Sequence, residues 1–264
     1  MQARMSDRLG SVKLVADRPM VAQVFDVLRA RIVAVDFLPG ERLSEKEISA
    51  ALGVSKTPVR EALIRLEEAG AVEIVPRSGT YVTPIRIDRY IEACFVRLNL
   101  EIGAVRRAAG AATHQAIARQ LDAVILEQRA ALAAGDYIAF FDLDQRMHRC
   151  VFELSGIGGV WTTISQTQAE VDRVRHLKRI HNISRGEEVL REHAAIVDAI
   201  RAGDPAAAEK ALVRHLGSLE AESDGLRRHP VLLDFIDTLN ARLSGRGGRT
   251  NGADAQKENG TCQG

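Results

Sequence analysis

The chain has few cysteines, few aromatic residues and no long apolar run. Its three cysteines are Cys94, Cys150 and Cys262, an odd number without a CxxC pair, which argues against a disulfide framework and a cysteine-based zinc knuckle. No stretch approaches the ~20 consecutive apolar residues that a membrane-spanning helix needs. Residues 1–19 are also too charged for a secretory signal. We therefore expect a cytoplasmic protein with reduced thiols and no membrane partner.

Net charge is nearly absent as well. The 264 residues carry a formal net charge of +1 at pH 7, so the chain lacks the general basicity with which some proteins coat nucleic acids. Any surface that binds nucleic acid has to be local and shaped, with few phosphate contacts per protomer. The length allows two domains on the usual prior of ~100–200 residues each.

The segment that begins at Ser44 has the pattern of a helix-turn-helix. Ser44 and Glu47 form a capping box at the start of a first helix. Gly53 can end that helix because it adopts a left-handed conformation without a Cβ penalty. We expect the second helix to start with Thr57 as its N-cap and Pro58 at the first helical position. The order helix, glycine turn, helix is typical of proteins that bind the DNA major groove.

The outer face of the second helix and the segment behind it favour DNA binding. Lys56, Thr57 and Arg60 lie opposite the apolar stripe of that helix, where phosphates and base edges would be met. Two β-type runs, 72–75 and 80–82, follow and flank Pro-Arg-Ser-Gly, which predicts a hairpin with a cationic tip. This hairpin would be the wing of a winged helix, whereas the glycine turn alone would fit an ordinary helical hairpin equally well.

The rest of the chain has helical patterning throughout. After a first helix over 20–35, the winged part ends near Pro84, and seven further helices are predicted over 88–110, 113–134, 136–155, 159–180, 185–202, 205–223 and 230–243. We expect a mainly α protein, with an N-terminal winged helix-turn-helix and a C-terminal all-helical antiparallel bundle. The predicted divisions are an arm (1–19), a DNA-binding domain (20–83), a linker (84–87), a helical domain (88–243) and a disordered tail (244–264).

Four side chains of the helical domain are candidate metal ligands. Asp144 and His148 are four residues apart and share one helix face. His193 and His215 lie on two later helices. Three imidazoles and one carboxylate suit Zn²⁺, with Ni²⁺ or Mn²⁺ as alternatives. Spacing alone does not bring the four together, because an interior histidine is more often a hydrogen-bonded core residue.

Residues 20–243 resemble the GntR family of bacterial transcription regulators, in the FadR-type branch with an FCD effector-binding domain. The motifs that carry the resemblance are Leu-Pro-Gly-Glu-Arg-Leu-Ser-Glu at 38–45, the Thr-Pro-Val-Arg-Glu-Ala-Leu core within 52–66, Arg-Leu-Asn-Leu-Glu at 97–101, 144–148, Glu-His-Ala-Ala-Ile at 192–196, and 215–216. The N-terminal motif is specific to the family, and the C-terminal motifs together are specific to its metal-binding FCD subset.

The resemblance implies roles for individual residues. Asp144, His148, His193 and His215 would bind a divalent metal whose coordination a small carboxylate effector completes. Arg97 would pair with that effector. The implied DNA contacts are Lys46, Ser55, Lys56, Thr57, Arg60, Arg77, Ser78 and Gly79. Lys56 departs from the family, where arginine is common, and a lysine without a bidentate fork shifts this position toward phosphate contact.

Two arginines could face an effector cavity. Arg97 sits among apolar neighbours, where a buried guanidinium needs an anion partner such as a bound carboxylate. The alternative partner is Glu101 at i+4. Arg175 lies on another bundle helix and could line the cavity.

The favoured hypothesis is a homodimeric, carboxylate-responsive repressor that binds a double-stranded operator and is not an enzyme. The linker near Pro84 would pass the effector signal to the wings. The alternatives are a metal sensor, a purely structural metal, and a metal-dependent enzyme fused to a DNA-binding module, although no HExxH motif or phosphate loop supports the last.

Overall fold

The computed structural model describes residues 5–10, 12, 14–181 and 185–244, and over these residues the chain is mainly helical, as predicted. The N-terminal elements are α1 (Met5–Leu9), α2 (Met20–Val33), β1 (Arg42–Leu43), α3 (Glu45–Leu52), α4 (Lys56–Glu68), β2 (Val72–Val75) and β3 (Gly79–Val82). The C-terminal elements are α5 (Ile87–Gly110), α6 (His114–Ala133), α7 (Tyr137–Leu154), α8 (Trp161–Ser165), α9 (Gln168–Ile180), α10 (Gly186–Arg201), α11 (Pro205–Leu216), α12 (Leu219–Arg227) and α13 (Pro230–Ser244). The predicted disordered tail lies, from residue 245 on, outside the described residues.

The N-terminal part is a winged helix-turn-helix. The apolar stripes of α2, α3 and α4 meet in a core that includes Leu28, Ile48 and Leu63, each at most 1% exposed. Their burial holds the three helices together. The wing is an antiparallel sheet of order β1-β3-β2, in which Val75 faces Gly79 across the hairpin. The two-residue strand β1 was not predicted, since two residues are too few to show an alternation.

Between α3 and α4, the predicted caps of the first helix are present, but the predicted start of the second helix is not. The Ser44 side chain accepts from the Glu47 amide at 3.3 Å, and Gly53 ends α3 at φ +66°. The prediction of Thr57 as N-cap was wrong: α4 begins at Lys56, and Ser55 in extended conformation occupies the cap. Pro58 is therefore the third helical residue, a position whose amide would also lack an intrahelical partner.

The helical part consists of α5 to α13, and two of its predicted helices are each broken in two. Instead of one helix over 159–180 there is a 3₁₀ turn, then α8 and α9, because the Thr167 hydroxyl and amide both donate to the Ile164 carbonyl and close the first segment. Instead of one helix over 205–223, Gly217 at φ +80° ends α11. Ser218 then caps α12. None of the helices in the described ranges is long and apolar enough to cross a membrane.

The two parts touch through α9. Arg29 of α2 forms an ion pair with Asp172, and the buried Arg173 donates to the carbonyl of Thr83 at 2.7 Å and to that of Pro84 at 3.3 Å. The predicted arm also contacts the winged part, because Leu9 at the end of α1 is fully buried in its core. Thus α9 binds both a helix of the DNA-binding part and the segment that connects the two parts.

Candidate metal and ligand site and candidate DNA surface

Three helices bring the four predicted ligand residues together. α7 carries Asp144 and His148, α10 carries His193 and α11 carries His215, and one donor atom of each lies within 4.8 Å of the others. The His215 Nε2 is 3.2 Å from the Nε2 of both other histidines. The Asp144 Oδ1 is 3.4 Å from the His193 Nε2. We call these four residues the His–Asp cluster; all of them are buried.

Each imidazole of the His–Asp cluster is held by its other nitrogen. The Nδ1 of His148 pairs with Glu101. In the same way, the Nδ1 of His193 lies 2.9 Å from the Gln128 Oε1, and that of His215 lies 3.0 Å from the Glu192 Oε2. Such partners fix the ring orientation and, if they accept from Nδ1–H, leave Nε2 as the free donor atom. All three rings therefore direct Nε2 toward one point.

Sequence reasoning missed two of these supporting residues and assigned the third another role. Glu101 was considered only as a partner of Arg97, while Gln128 and Glu192 were not singled out. A signal existed for Gln128, since an amide on the inward stripe of a helix has to find a hydrogen-bond partner, and this side chain is fully buried. Nothing local in the sequence indicates that its partner is a histidine 65 positions later.

Burial and charge in the His–Asp cluster favour the unprotonated forms of three of its members, His193, His215 and Asp144. Burial lowers the pKa of His193 and of His215 well below the usual value, and the neighbouring imidazoles lower it further. Burial would raise the pKa of Asp144, but the charges of Arg175 and His148 outweigh that effect and hold it well below its ordinary range. A carboxylate and neutral imidazoles are the forms in which these side chains bind metals.

A cavity of about 170 Å³ opens beside the His–Asp cluster. Asp144 and His215 form part of its lining, together with residues of α5, α9 and α12. The lining mixes apolar side chains with cationic ones, which is the usual composition of a small-molecule site. The cavity therefore provides room for an organic ligand in direct reach of two cluster members.

Arg97 contacts one of the cluster's supporting residues, Glu101, and also lines the cavity. Its Nε donates to the Glu101 Oε1 at 2.6 Å, so the alternative ion pair considered from the sequence is present. Its Nη2, however, is buried without a hydrogen-bond partner among the described residues, and the side chain lines the cavity. A buried donor without a partner costs free energy. An anion in the cavity would relieve this cost.

Arg175 also lines the cavity, as the sequence suggested. Its Nη1 lies 2.6 Å from the Asp144 Oδ2. The guanidinium thus binds the carboxylate oxygen that faces away from His193, whose Nε2 is near Oδ1. Arg175 orients the only carboxylate of the His–Asp cluster and links it to α9.

The predicted DNA-contacting residues lie on α3, on α4 with its N-cap, and on the wing. Seven of the eight are exposed and the eighth, at the tip of the hairpin, is half-buried: Lys46, Ser55, Lys56, Thr57, Arg60, Arg77, Ser78 and Gly79. Arg60 is held by an ion pair with Glu45, at 3.0 Å between Nη2 and Oε2. The structure thus presents these side chains to solvent on the outer face of α3 and α4 and on the wing.

The tip of the wing has an unusual backbone. Arg77 adopts φ +62°, a left-handed conformation that costs free energy for a residue with a side chain. At Gly79, φ is +144°, and a Cβ there would lie 2.6 Å from the Arg42 Nε. Arg42, on the unpredicted strand β1, is exposed and was missed as a candidate cationic residue of this surface.

Comparisons with known proteins agree with this architecture. Residues 20–82 match the model of bacterial regulatory proteins of the gntR family, and residues 92–218 match the FCD domain. The chain is 35% identical, over 80% of its length and 92% of the relative's, to the HTH-type transcriptional repressor RspR of Escherichia coli K12.

Solved structures show the same fold. A putative transcriptional regulator from Rhodococcus sp. RHA1 has a TM-score of 0.61 and 26% identity, covering 78% of this chain and 97% of that one. E. coli McbR/YncC has a TM-score of 0.63 at 21% identity, with 82% and 98% covered.

A winged helix with an outward cationic face, joined to a helical domain with an internal cavity, defines a DNA-binding transcription regulator rather than an enzyme. The chain belongs to the GntR family, and its helical part is an FCD domain.

Proposed function

We propose that this regulator is a homodimeric repressor whose helical domain holds a divalent metal and releases its operator when a small carboxylate binds. The observation that carries the proposal is the convergence of three Nε2 atoms and one carboxylate beside a cavity lined by Arg97, whose Nη2 has no hydrogen-bond partner among the described residues. The name of the relative RspR, a transcriptional repressor, supports repression as the output. A regulator of bacterial transcription acts where the DNA is, so a cytoplasmic location is part of the proposal.

The donor set supports a resident metal. Asp144, His148, His193 and His215 would hold it, and the supports on each Nδ1 are those that metal-binding histidines ordinarily have. Zn²⁺ is the first candidate, with Ni²⁺ and Mn²⁺ as alternatives, because imidazole and carboxylate suit all three. When bound, such a metal would supply Lewis acidity toward an oxygen ligand.

The cavity supports a small effector with a carboxylate. The Arg97 Nη2 has no partner among the described residues, and a carboxylate would accept its hydrogen bond in a charge-assisted pair. A 150 Å³ protein cavity is known to hold benzene, so the 170 Å³ here suits a ligand of roughly six to ten non-hydrogen atoms. Long acyl chains are too large.

Helix α9 supports a route from the effector to the DNA-binding part. Arg175 binds the cluster carboxylate, and Asp172, one turn earlier, binds Arg29 of α2. Gln145, next to Asp144 in sequence, donates to the Asp172 Oδ1 at 2.7 Å. An effector that favours one position of α9 would thus favour one placement of the winged helix, and it acts only through its different affinity for the two states.

Two copies of the chain suit the DNA surface. One winged helix presents few phosphate contacts, and two of them bound to successive major grooves would recognise a pseudo-palindromic operator. The distance between the two recognition helices would then control affinity for DNA.

The test combines metal content with operator release. Purified wild type and His148→Ala are compared by elemental analysis, with His229→Ala as the matched control because His229 is exposed and outside the cluster. We expect His148→Ala to lose bound metal and the control to keep it. Operator fragments are then selected from the protein's own genome, and release is measured with a panel of small carboxylates, before and after chelation.

Release that needs both metal and acid supports the proposal. Release that follows free metal and ignores acids would identify a metal sensor. A metal whose removal lowers the melting temperature without changing the response to acids would be structural. Unchanged metal content in His148→Ala would remove the metal from the proposal, and a dimer without preference for any fragment would refute the proposed mode of action.

A further inference from the structure

The cavity beside the His–Asp cluster has more positive than negative charge. Five cationic side chains line it, namely Arg97, Arg175, Lys178, Arg179 and Arg185, and two acidic ones, Asp144 and Glu222. A single carboxylate placed at Arg97 would neutralise only part of this excess positive charge. The distribution of the remaining charge therefore bears on the class of effector.

Four of the five cations already have a carboxylate partner. Arg97 pairs with Glu101 and Arg175 with Asp144. Lys178 pairs with Glu222 at 2.8 Å, and Arg185 pairs with Glu188 and Glu192.

Arg179 is the exception. Within the described residues it has no ion pair with a carboxylate; its guanidinium lies 5.1 Å from the centre of the Tyr137 ring, and its Nε is buried without a hydrogen-bond partner. A ring face orients a guanidinium but does not neutralise it. Arg179 is therefore the cation of the cavity that has a place for an additional anion.

The position of Arg179 relates it to the cluster. Arg175 and Arg179 are four residues apart on α9, so they share one face and are separated by about 6 Å along the helix axis. Arg175 is at the Asp144 end of the cavity. Arg179 therefore stands about one helical turn away from the Asp144 end of the cavity.

The wall of the cavity also contains several apolar side chains. Phe140, Phe141, Val171 and Leu216 belong to the lining. Such a wall suits a hydrocarbon spacer and offers few partners to the hydroxyl groups of a sugar acid, which would lose hydrogen bonds to water there.

We propose that the effector is a dicarboxylate short enough for the cavity of about 170 Å³, with one carboxylate at Arg97 and the other at Arg179. This inference rests on the proposed function, since it names the class of acid for the same cavity. The two carboxylates would each meet a guanidinium, and the spacer would lie against the apolar wall. A monocarboxylate of equal length would leave Arg179 without an anion.

The test compares acids that differ only in the second carboxylate. Binding of succinate and butyrate, and of glutarate and valerate, to the metal-loaded full-length protein is measured by calorimetry. We expect each dicarboxylate to bind wild type at least about ten-fold more tightly than its matched monocarboxylate, the size of effect that one charge-assisted pair provides.

Substitutions of Arg179 test whether this side chain causes the preference for dicarboxylates. Arg179→Met should reduce the ratio of the dicarboxylate affinity to the monocarboxylate affinity to near one, chiefly by weakening dicarboxylate binding, and Arg179→Lys should restore part of the preference. Arg149→Met is the control, because Arg149 is exposed and pairs with Glu153 away from the cavity. Unchanged melting temperatures would show that the variants fold.

Two results would overturn the dicarboxylate. One is equal binding of succinate and butyrate by wild type, and the other is an Arg179→Met variant that loses affinity for both acids alike. Either result would still be compatible with a carboxylate effector, as in the proposed function. If no acid of any kind binds the metal-loaded protein, the proposed function fails and the dicarboxylate fails with it.

Discussion

Arg60 is the single side chain on which reading of the operator depends most in this proposal. It lies on the exposed face of α4 and is oriented by two contacts to Glu45, at 3.0 and 3.2 Å. A guanidinium held in this way keeps a forked set of donors, and such a fork matches the two acceptors of a guanine edge. Glu45 would have to share or release it when DNA arrives.

Replacing Arg60 by alanine tests this contact. We expect Arg60→Ala to weaken operator binding by about 1–3 kcal/mol if the side chain makes a bidentate base contact. The measurement is fluorescence anisotropy on the selected operator and on a scrambled fragment, at one fixed salt concentration. Arg149→Ala serves as the control for loss of one exposed positive charge. If operator affinity stays the same, α4 does not enter the groove as proposed.

At the scale of elements, α12 is joined to two other helices through one carboxylate. Glu222 accepts from the Tyr90 hydroxyl of α5 at 2.5 Å and from the Lys178 ammonium of α9 at 2.8 Å. Burial would raise the pKa of Glu222, but Lys178 and Tyr90 outweigh burial and lower it below its usual 4.5. The ionised carboxylate thus stabilises the packing of α12.

The contribution of Glu222 should depend on pH. We expect Glu222→Gln to lower the free energy of unfolding by about 1 kcal/mol at pH 7. Because the folded pKa is below the unfolded one, the contribution is complete above pH 4.5 and is lost as the pH falls through the folded value. Urea unfolding of both proteins, from pH 8 down to the lowest pH at which both still fold, measures this difference. The buffers contain no carboxylic acids, which could bind in the cavity. A difference that grows toward low pH would contradict this assignment.

Elements were predictable from the sequence where a local signal marks their ends. Ser44 and Gly53 fixed the bounds of α3 within a residue or two, since a cap and a left-handed glycine act on neighbouring backbone groups. The breaks at Thr167 and Gly217 were missed because helical periodicity continues across them. The residues around the His–Asp cluster came together only through long-range packing, so the resemblance to a family, and not their spacing, was needed to group them.

At the scale of the whole molecule, one helix joins the two functional regions. The Arg29–Asp172 ion pair joins residues 143 positions apart, a contact that no sequence pattern indicated. Gln145 and Gln168 both donate to the second oxygen of Asp172, which holds the carboxylate in place. Under the proposed function, a shift at the cluster end of α9 would therefore be transmitted to α2 through these contacts, without an intervening flexible segment.

Removing this ion pair should separate acid binding from DNA release. We expect Asp172→Asn to keep the affinities for metal and acid, while the ratio of operator affinities without and with acid falls several-fold, since single contacts on such a route change coupling by about 0.5–2 kcal/mol. Calorimetry and operator titrations measure the two properties separately. Asp122→Asn is the control, because Asp122 pairs with Arg201 inside the helical part. A ratio equal to that of wild type would place the route elsewhere.

Under the proposed function, the geometry of the cavity also implies an order in which metal and acid bind. Asp144 and His215 line the cavity, whereas His148 and His193 do not, and all four side chains are buried. An acid seated at Arg97 would cover the faces through which the cluster is reached. Under the proposed function, the metal would then have to bind before the acid, and a cell starved of metal would hold a regulator that does not respond to the acid, however abundant the acid became.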